Sequence, residues 1–430
     1  MKTTFIATGD AFITRRLPEN GYQGFDEIQK VIRDHDVRFN NLEITVHREE
    51  GYPSAVSGGT WAMTQPEVLH DLQKFGFNIF NTATNHTCDY SHGGVLATIK
   101  YLRESGAVFA GSGKDLVEAS APAYLETANA RVAMIAVCST FDKSAVAGNQ
   151  SLNMIGRPGL NPLRSSKVFQ VETKYFDALR AVADAANVNA EMNEEIRTGY
   201  EQPLPEDQLY FDGLYFVCDT ENKKVTKPLE KDMNRVVAAI EEARRQADYV
   251  LVSFHGHEFA GDDTTNPADF MVEFSRACID AGADAVIGHG PHELRGIEIY
   301  KEKPIFYSLG NFIFQTETVC VQPADACENN KLPYDTPVGA YMNHRSKNGT
   351  RGYVVQPNIW FSVMAGFTAE NGKITEVRLY PITLNMELPR GRRGWPCLRK
   401  DREVLDYLQK LSEPFGTRLE IEDGVAVIRL

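Results

Sequence analysis

The chain has 430 residues, of which 43% are hydrophobic, which is enough for one large core. Its net charge of −13, with no long run of Lys and Arg, argues against a general nucleic-acid surface. Seven cysteines without a repeating spacing argue against a disulfide framework, and no run of about 20 apolar residues could span a membrane. These features predict a soluble, cytoplasmic protein.

The first strand is predicted at residues 3–8, and it ends in Gly9 and Asp10. A second predicted strand, after residue 36, ends in Asn41-Leu42-Glu43. A carboxylate that directly follows a strand is well placed to bind a metal ion or to act as an acid. Taken alone, Asp10 could equally belong to an ordinary turn.

Apolar residues then alternate between helical and extended spacing. The pattern predicts helices and strands in turn, at residues 65–76, 78–83, 92–105 and 107–110. The strand at 78–83 leads into Asn85 and His86. The chain is therefore predicted to be β-α-β-α-β up to this point, with polar groups at the same ends of the strands.

The pattern changes after a predicted hairpin at 123–138. Residues 141–230 combine a loop that carries Arg157 and Arg164 with a charged helix predicted at 172–195. We interpret 141–230 as an insertion that caps the site, within a single domain that spans 1–430.

Two apolar runs each end in a pair of histidines. The run at 249–254 leads into His255 and His257, and the run at 284–287 leads into His289 and His292. A helical pattern lies between them, which predicts a βαβ unit whose parallel strands end at one edge. Four imidazoles at one edge of a sheet favour a metal site over a set of surface histidines.

A third apolar run, at 304–308, is followed by Asn311. The polar stretch 315–352 is predicted to be a long loop that covers a site or moves. Strands are predicted at 353–363 and 373–380, a helix at 403–411 and a last strand near Val425. Residues 350–430 are expected to complete a second, more antiparallel sheet.

Together the strand ends supply carboxylate, amide and imidazole groups in sufficient number for two divalent ions. The candidate residues are Asp10, Glu43, Asn85, His86, His255, His257, His289 and His292. A nitrogen and oxygen ligand set without thiolate suits Mn, Fe, Co or Zn. The sequence therefore predicts one or two divalent metal ions as cofactors.

These motifs resemble the CapA family, named for poly-γ-glutamate capsule synthesis, within the calcineurin-like metallophosphatase superfamily. The matching pieces are Gly9-Asp10, Asn41-Leu42-Glu43, Thr84-Asn85-His86 with Asp89, Gly288-His289-Gly290-Pro291-His292 and Tyr307-Ser308-Leu309-Gly310-Asn311-Phe312. The resemblance implies an α/β fold, specifically a four-layer α/β/β/α sandwich with the site at the carboxyl ends of the strands.

The resemblance also implies roles for individual residues. The metal ligands would be Asp10, Glu43 as the bridging carboxylate, Asn85, His255, His289 and His292. His86 would be the acid that faces the substrate.

Three positions depart from the superfamily pattern. Phe12 stands where a histidine is usual, Glu43 where an aspartate is usual, and His255-Gly256-His257 where His-Trp-Gly is usual. His257 could supply the missing ligand or act as a general acid, and both roles stay open.

Candidates for binding an anionic substrate are Arg15, Arg16, Arg157, Arg164 and Asn311. For each arginine a solvated loop is an equal alternative. Asn311 could orient a ligand or the substrate, or it could instead cap a turn and fix the strand end.

Three functions are compatible with the sequence. The first is a metal-dependent hydrolase that acts on a phosphoester or a poly-γ-glutamate-related peptide. The second is a peptide-modifying enzyme that hydrolyses or epimerises on the same scaffold, and the third is a non-catalytic protein that binds capsule polymer. In each, the expected partner is an anionic small molecule, peptide or polymer, not nucleic acid, and the sequence leaves the oligomeric state open.

Overall fold

The computed structural model describes residues 2–430 and has the predicted α/β architecture. The strands are β1 Lys2–Phe12, β2 Val37–Leu42, β3 Thr45–Val46, β4 Met63–Thr64, β5 Ile79–Asn81, β6 Val108–Ala110, β7 Ser112–Gly113, β8 Ala123–Glu126, β9 Arg131–Cys138, β10 Gly159–Leu160, β11 Ser165–Glu172, β12 Gln208–Phe211, β13 Leu214–Asp219, β14 Lys223–Pro228, β15 Tyr249–His255, β16 Ala285–His289, β17 Leu294–Tyr300, β18 Lys303–Leu309, β19 Asn311–Phe314, β20 Phe361–Glu370, β21 Lys373–Thr383, β22 Cys397–Leu398, β23 Glu420–Glu422 and β24 Val425–Arg429. The helices are α1 Phe25–Arg33, α2 Glu67–Phe75, α3 Ser91–Glu104, α4 Leu116–Ser120, α5 Thr173–Ala186, α6 Ala190–Thr198, α7 Glu230–Arg244, α8 Asp269–Asp280, α9 Ala324–Asn329, α10 Val338–Arg345 and α11 Glu403–Ser412.

Two large sheets carry the fold. The first has ten strands in the order β23-β24-β21-β20-β1-β2-β5-β6, with β19 also paired to β1 and β22 to β21. Strands β1, β2, β5 and β6 are parallel, whereas β20, β21 and β24 run antiparallel to their neighbours. The C-terminal strands therefore extend the sheet that contains β1.

The second sheet has six strands in the order β17-β18-β16-β15-β9-β8. Its central strands β9, β15, β16 and β18 are parallel, and β15 is buried along its whole length. A continuous apolar run such as that of β15 is typical of a parallel strand covered on both faces. The predicted βαβ unit is present as β15-α8-β16.

The inner faces of the two sheets share one apolar core. Phe5 of the first sheet stacks on Phe367 at a ring distance of 4.7 Å and meets Tyr249 of the second sheet edge-on at 5.3 Å. Burying one such aromatic ring stabilises the fold by about 1.5–3 kcal/mol. On the opposite faces, Ile6 of β1 packs in a cluster with α1 and α2, and Val252 of β15 packs in a cluster with α7 and α8.

The chain passes from the second sheet to the first at Gly310, which has a φ of +73° between β18 and β19. The Gly310 carbonyl accepts a hydrogen bond of 3.0 Å from the Asp10 amide. A Cβ on Gly9 would lie 1.7 Å from that carbonyl oxygen, so only glycine fits there. The two glycine motifs found in the sequence thus meet where the sheets are joined.

Residues 165–228 form a separate four-stranded sheet, β12-β13-β11-β14, with α5 and α6 beside it. The charged helix predicted at 172–195 is two helices, because Asn187 adopts a left-handed conformation with a φ of 53°. Lys224 of β14 donates a 2.6 Å hydrogen bond to the Phe259 carbonyl, in the loop that follows β15.

The stretch expected to be a long loop, 315–352, contains α9 and α10. Strand β20 begins at Phe361 and not near 353, since residues 353–360 form short 3₁₀ turns. Pro357 lacks the amide proton that a strand ladder requires. Residues 315–352 pack on the first sheet through Tyr341 and Met342 of α10.

His47 is fully buried after β3, against the ring of Tyr90 at 4.7 Å. Its Nδ1 accepts a hydrogen bond of 3.1 Å from the Glu49 amide, and its Nε2 is 3.1 Å from the Thr45 hydroxyl. Burial lowers the pKa of His47 to about 4, although the charge of Glu50 opposes this shift. The folded protein therefore holds His47 neutral.

We predict that His47 makes the fold less stable at acidic pH. Because the pKa is lower in the folded state, the unfolded chain takes up the proton first, and stability is lost as the pH falls from about 6.5 towards 4. From pH 7 to pH 5 the loss attributable to His47 should be on the order of 1–2 kcal/mol. Urea unfolding at both pH values should show a smaller loss for His47→Gln than for the wild type. An equal loss in both would contradict the prediction, and the exposed His70→Gln is the control.

Candidate metal centre

The carboxyl ends of strands from both sheets meet at one edge. In the first sheet, Asp10 lies in register with Asn41, and in the second, His255 lies in register with His289. Asp10, Glu43, His255 and His289 are fully buried. The edge predicted to collect the polar residues therefore does so, with contributions from two sheets instead of one.

Three overlapping groups of ligand atoms lie at this edge, each with its atoms within 4.8 Å of one another. They are Asp10, His255 and His289; Glu43, His255 and His257; and Asp10, Glu43 and His292. His255 Nδ1 is 3.0 Å from His289 Nδ1 and 3.9 Å from Asp10 Oδ1. Glu43 Oε1 is 3.7 Å from both His255 Nε2 and His292 Nε2.

Asn85 adds an oxygen to this cluster. Its Oδ1 is 2.9 Å from His255 Nε2, while its Nδ2 donates to the Gly58 carbonyl at 2.8 Å. The second contact fixes the orientation of the amide, so that the oxygen faces the histidines.

Glu43 provides the test of whether a cation fits here. Both of its carboxylate oxygens are buried and neither has a hydrogen-bond partner within residues 2–430. Burial raises the pKa of Glu43 well above its usual value, and the charges of Asp10 and Asp89 add to this. A buried carboxylate without a partner is costly, and a divalent cation at this position would remove that cost.

Three of the candidate histidines are in the neutral state that metal binding requires. Burial lowers the pKa of His257 to about 3 and that of His289 to about 4. The pKa of His255 is also well below its usual value, because of burial and the neighbouring imidazoles. Neutral imidazole is the ligand form of histidine, and this nitrogen and oxygen set suits a divalent transition metal.

Surrounding side chains hold the candidate ligands in place. Asn41 Nδ2 donates to Asp10 Oδ1 at 2.7 Å, and the Gly290 amide donates to Asp10 Oδ2 at 3.1 Å. The Ser253 hydroxyl is 2.7 Å from His289 Nε2. Burial alone would raise the pKa of Asp10, but His292, His289 and Asn41 hold it below its usual value.

Asn311 is fully buried and also holds a candidate ligand in place. Its Oδ1 is 2.9 Å from His292 Nδ1, and its Nδ2 donates to the carbonyls of His292 and Ile359 at 2.9 Å each. The amide is therefore committed to orienting His292, which has a φ of 62°. Of the two roles considered from sequence, the contacts are those of a residue that orients a ligand.

His86 lies beside the cluster and outside the three groups. Its Nδ1 is 2.6 Å from Asp89 Oδ2, and Asp89 is itself held by the amides of Gly58 and Ala62 at 2.8 Å. Phe12 meets the His86 ring edge-on at 5.1 Å. The residue that replaces the usual histidine thus supports the His86 ring.

The four arginines predicted to bind substrate lie outside the metal cluster. Arg16 pairs with Asp71, and the guanidinium of Arg164 forms two hydrogen bonds to Asp232, at 2.7 and 2.8 Å. Arg15 donates to the carbonyls of Gly391 and Arg393 and lies over Trp395, in the wall of a groove of about 800 Å³ that Arg16 also lines. Arg157 is exposed and donates to the Val146 carbonyl at 2.9 Å.

Sequence reasoning did not identify Asn41, Ser253 or Tyr353. Asn41 and Ser253 each lie two residues before a candidate ligand, so the period of two in a strand could have indicated that they share its face. The Tyr353 ring is 5.6 Å from the His292 ring. No local pattern marks Tyr353, because it reaches the site through a contact distant in sequence.

A family described as bacterial capsule synthesis protein, PGA_cap, matches residues 4–316, which include every candidate metal ligand. The chain belongs to this family. The resemblance to CapA proteins derived from the motifs is therefore confirmed.

Among the relatives of this PGA_cap family member is the uncharacterized protein y4sH of Sinorhizobium fredii. It is 34% identical over 439 aligned positions, which cover 99% of this chain and 93% of that protein. The capsule biosynthesis protein CapA of Bacillus anthracis is 23% identical, over 73% of this chain and 60% of that protein. The PGA biosynthesis protein CapA of Bacillus subtilis is 24% identical, over 77% of this chain and 64% of that protein.

No helix within residues 2–430 of the PGA_cap family member combines the length and apolar character needed to cross a bilayer.

We predict that purified protein contains at least one divalent transition-metal ion per chain, and that His289→Ala loses it. His289 is fully buried and has ligand atoms of Asp10 and His255 beside it, so its removal opens the cluster. Elemental analysis of protein prepared without chelator measures the metal content. His35→Ala, which removes a half-buried histidine outside the cluster, should retain the metal. Wild-type protein without metal would refute the prediction.

Proposed function

We infer that this protein is a metal-dependent, hydrolase-like enzyme of the CapA and metallophosphatase type. Its substrate would be a phosphoester or a poly-γ-glutamate-related peptide of capsule or cell-envelope polymer synthesis. The observation that carries the inference is the buried, unpartnered carboxylate of Glu43 among four imidazoles and Asp10. The names of the Bacillus relatives support a role in capsule polymer synthesis.

The predicted four-layer α/β/β/α sandwich belongs to this proposal. It is supported by the apolar core shared between the two sheets and by the clusters that place α1, α2, α7 and α8 on their other faces. In the superfamily that the motifs resemble, such a sandwich carries its metal site at the strand ends.

The residues that would hold one or two ions are Asp10, Glu43, Asn85, His255, His257, His289 and His292. Phe12 stands where a histidine is usual in the superfamily. We propose that His257 acts as a ligand in its place, because His257 Nε2 is only 3.3 Å from His255 Nε2 and lies within reach of Glu43. A divalent metal at this site supplies Lewis-acid activation of water and of a phosphoryl or carbonyl oxygen.

His86 is the proposed general acid or base. The contact with Asp89 is best satisfied when Nδ1 carries the proton and donates a hydrogen bond to the carboxylate. This leaves Nε2 as the atom that holds or accepts a proton at the substrate. Asp89 and the edge of Phe12 fix the ring, so His86 needs no rearrangement to act.

Two parts of the chain are proposed to cover the site. The insertion predicted at 141–230 contacts the loop after β15 through Lys224, and Thr140, just before it, accepts the His257 amide hydrogen bond at 2.8 Å. From the other side, Tyr353 contacts His292 directly after the 315–352 stretch. Both would limit the access of water and select the substrate.

We predict that His86→Ala lowers kcat by roughly 10²–10⁴-fold, the usual range for a general acid or base, while retaining the metal. His86 lies outside the three ligand groups, so the loss should be chemical and not structural. Turnover and metal content should be measured together on a panel of phosphoesters and γ-glutamyl peptides. The exposed His70→Ala is the matched control.

Measurements on the same panel of phosphoesters and γ-glutamyl peptides also distinguish the three functions that are compatible with the sequence. Turnover of the peptides alone would favour the peptide-modifying enzyme over the phosphoesterase. Full activity of His86→Ala on the best substrate would remove the proposed catalytic residue. No turnover of either class, with tight binding of the polymer, would support the non-catalytic binding protein instead.

A further inference from the structure

A second cavity lies next to the candidate metal centre. It has a volume of about 220 Å³, and Arg345, Arg351, Tyr353, Met342 and Glu317 are among the residues that line it. Since one water molecule occupies about 30 Å³ of liquid, the cavity has room for several water molecules or for a carboxylate or phosphate group.

Tyr353 connects this cavity to the metal cluster. Its ring lines the cavity and also lies 5.6 Å from the His292 ring and 5.0 Å from the Phe314 ring. The Tyr353 ring is therefore in contact with both the cavity and a candidate ligand of the cluster.

The loop at 58–59 provides a second connection. Arg345 Nη2 donates to the Gly59 carbonyl at 3.1 Å, and the adjacent Gly58 carbonyl accepts from Asn85 Nδ2 at 2.8 Å. The arginine and the candidate ligand are thus held by neighbouring carbonyls, which fixes the cavity relative to the metal site.

The charges of the cavity are unbalanced in favour of an anion. Neither Arg345 nor Arg351 is in an ion pair among the residues that the structure describes, unlike Arg16 and Arg164. The one acidic residue named above, Glu317, is already paired with Arg390 and Arg393. Two unpaired guanidinium groups at one cavity form a site for carboxylate or phosphate oxygens.

We propose that Arg345 and Arg351 bind an anionic group of the substrate, a carboxylate or a phosphate, next to the bond that lies at the metal centre. The proposal rests on the proposed function of the metal site. The side chain of Met342 and the Tyr353 ring provide an apolar wall for the carbon chain that carries the anion. Because the net charge of −13 repels anions at long range, these local positive charges are needed to select such a substrate.

The test compares Arg345→Gln, Arg351→Gln and the double variant with Lys347→Gln. Lys347 is exposed, lies between the two arginines in sequence and does not line the cavity, so it loses the same charge in the same segment. Calorimetry should measure binding of a γ-linked glutamate trimer and, separately, of inorganic phosphate. Each titration is done with Mn²⁺ present and after removal of metal with chelator, so that anion binding by the arginines is separated from binding by the metal.

We expect each single arginine variant to weaken at least one probe about tenfold without metal, as expected for loss of one charge-assisted hydrogen bond. The double variant should lose more, and Lys347→Gln less than twofold. A weakened trimer identifies carboxylate as the ligand, and a weakened phosphate identifies phosphate.

Equal binding by the double variant and Lys347→Gln, or no binding of either probe to metal-free wild-type protein, would overturn this assignment. These readings do not depend on turnover. Thermal unfolding confirms that the variants are folded. If the proposed function of the metal site is wrong, elemental analysis would instead find no metal in the wild-type protein.

Discussion

The close contact between Gly9 and the Gly310 carbonyl determines where the candidate ligands lie. It allows β18 of the second sheet to continue as β19 of the first, directly beside the end of β1. Asp10 and Asn311 come into register as a result, and Asn311 then orients His292. A side chain at residue 9 would separate the sheets at this edge and move the carboxylate away from the imidazoles.

The electrostatics of the site follow from this close approach of the two sheets. Two carboxylates and several imidazoles are removed from water together, which raises the pKa of Glu43 and lowers those of the histidines His255, His257 and His289. The lone pairs of the imidazole nitrogens and carboxylate oxygens are then available in one small space. Both carboxylate oxygens of Glu43 are left without a hydrogen-bond partner. A neutral core of the same size would be easier to fold, so the arrangement is consistent with cation binding and does not serve stability.

Much of the fold, and the edge at which the candidate ligands gather, could be predicted from the sequence, because each depends on local patterns. Apolar runs such as that of β15 indicate buried strands, and the polar residue at the end of each run indicates the edge at which the site is built. The sequence does not determine the role of His257, since that role depends on the distances from His257 to His255 and Glu43, which spacing along the chain does not give.

Other features depend on contacts between residues distant in sequence and could not be predicted. The arginines at 16 and 164 are neutralised by Asp71 and Asp232, which are 55 and 68 residues away. The sheet that receives β20 is decided by its pairing with β1, and no property of β20 alone determines it. Tyr353 reaches His292 only because the segment before it folds back across the first sheet.

The four-stranded sheet at residues 165–228 has a further consequence for how this scaffold can change. Ser165 and Pro228, at its two ends, are paired neighbours on adjacent strands, and Arg164 on the one side is bonded to Asp232 on the other. The chain thus leaves the main body and returns to it at a single point. Exchange of this piece for another of different length need not disturb the strands that carry the histidines. Members of this family can therefore differ in one peripheral module while the strand ends that carry the histidines stay the same.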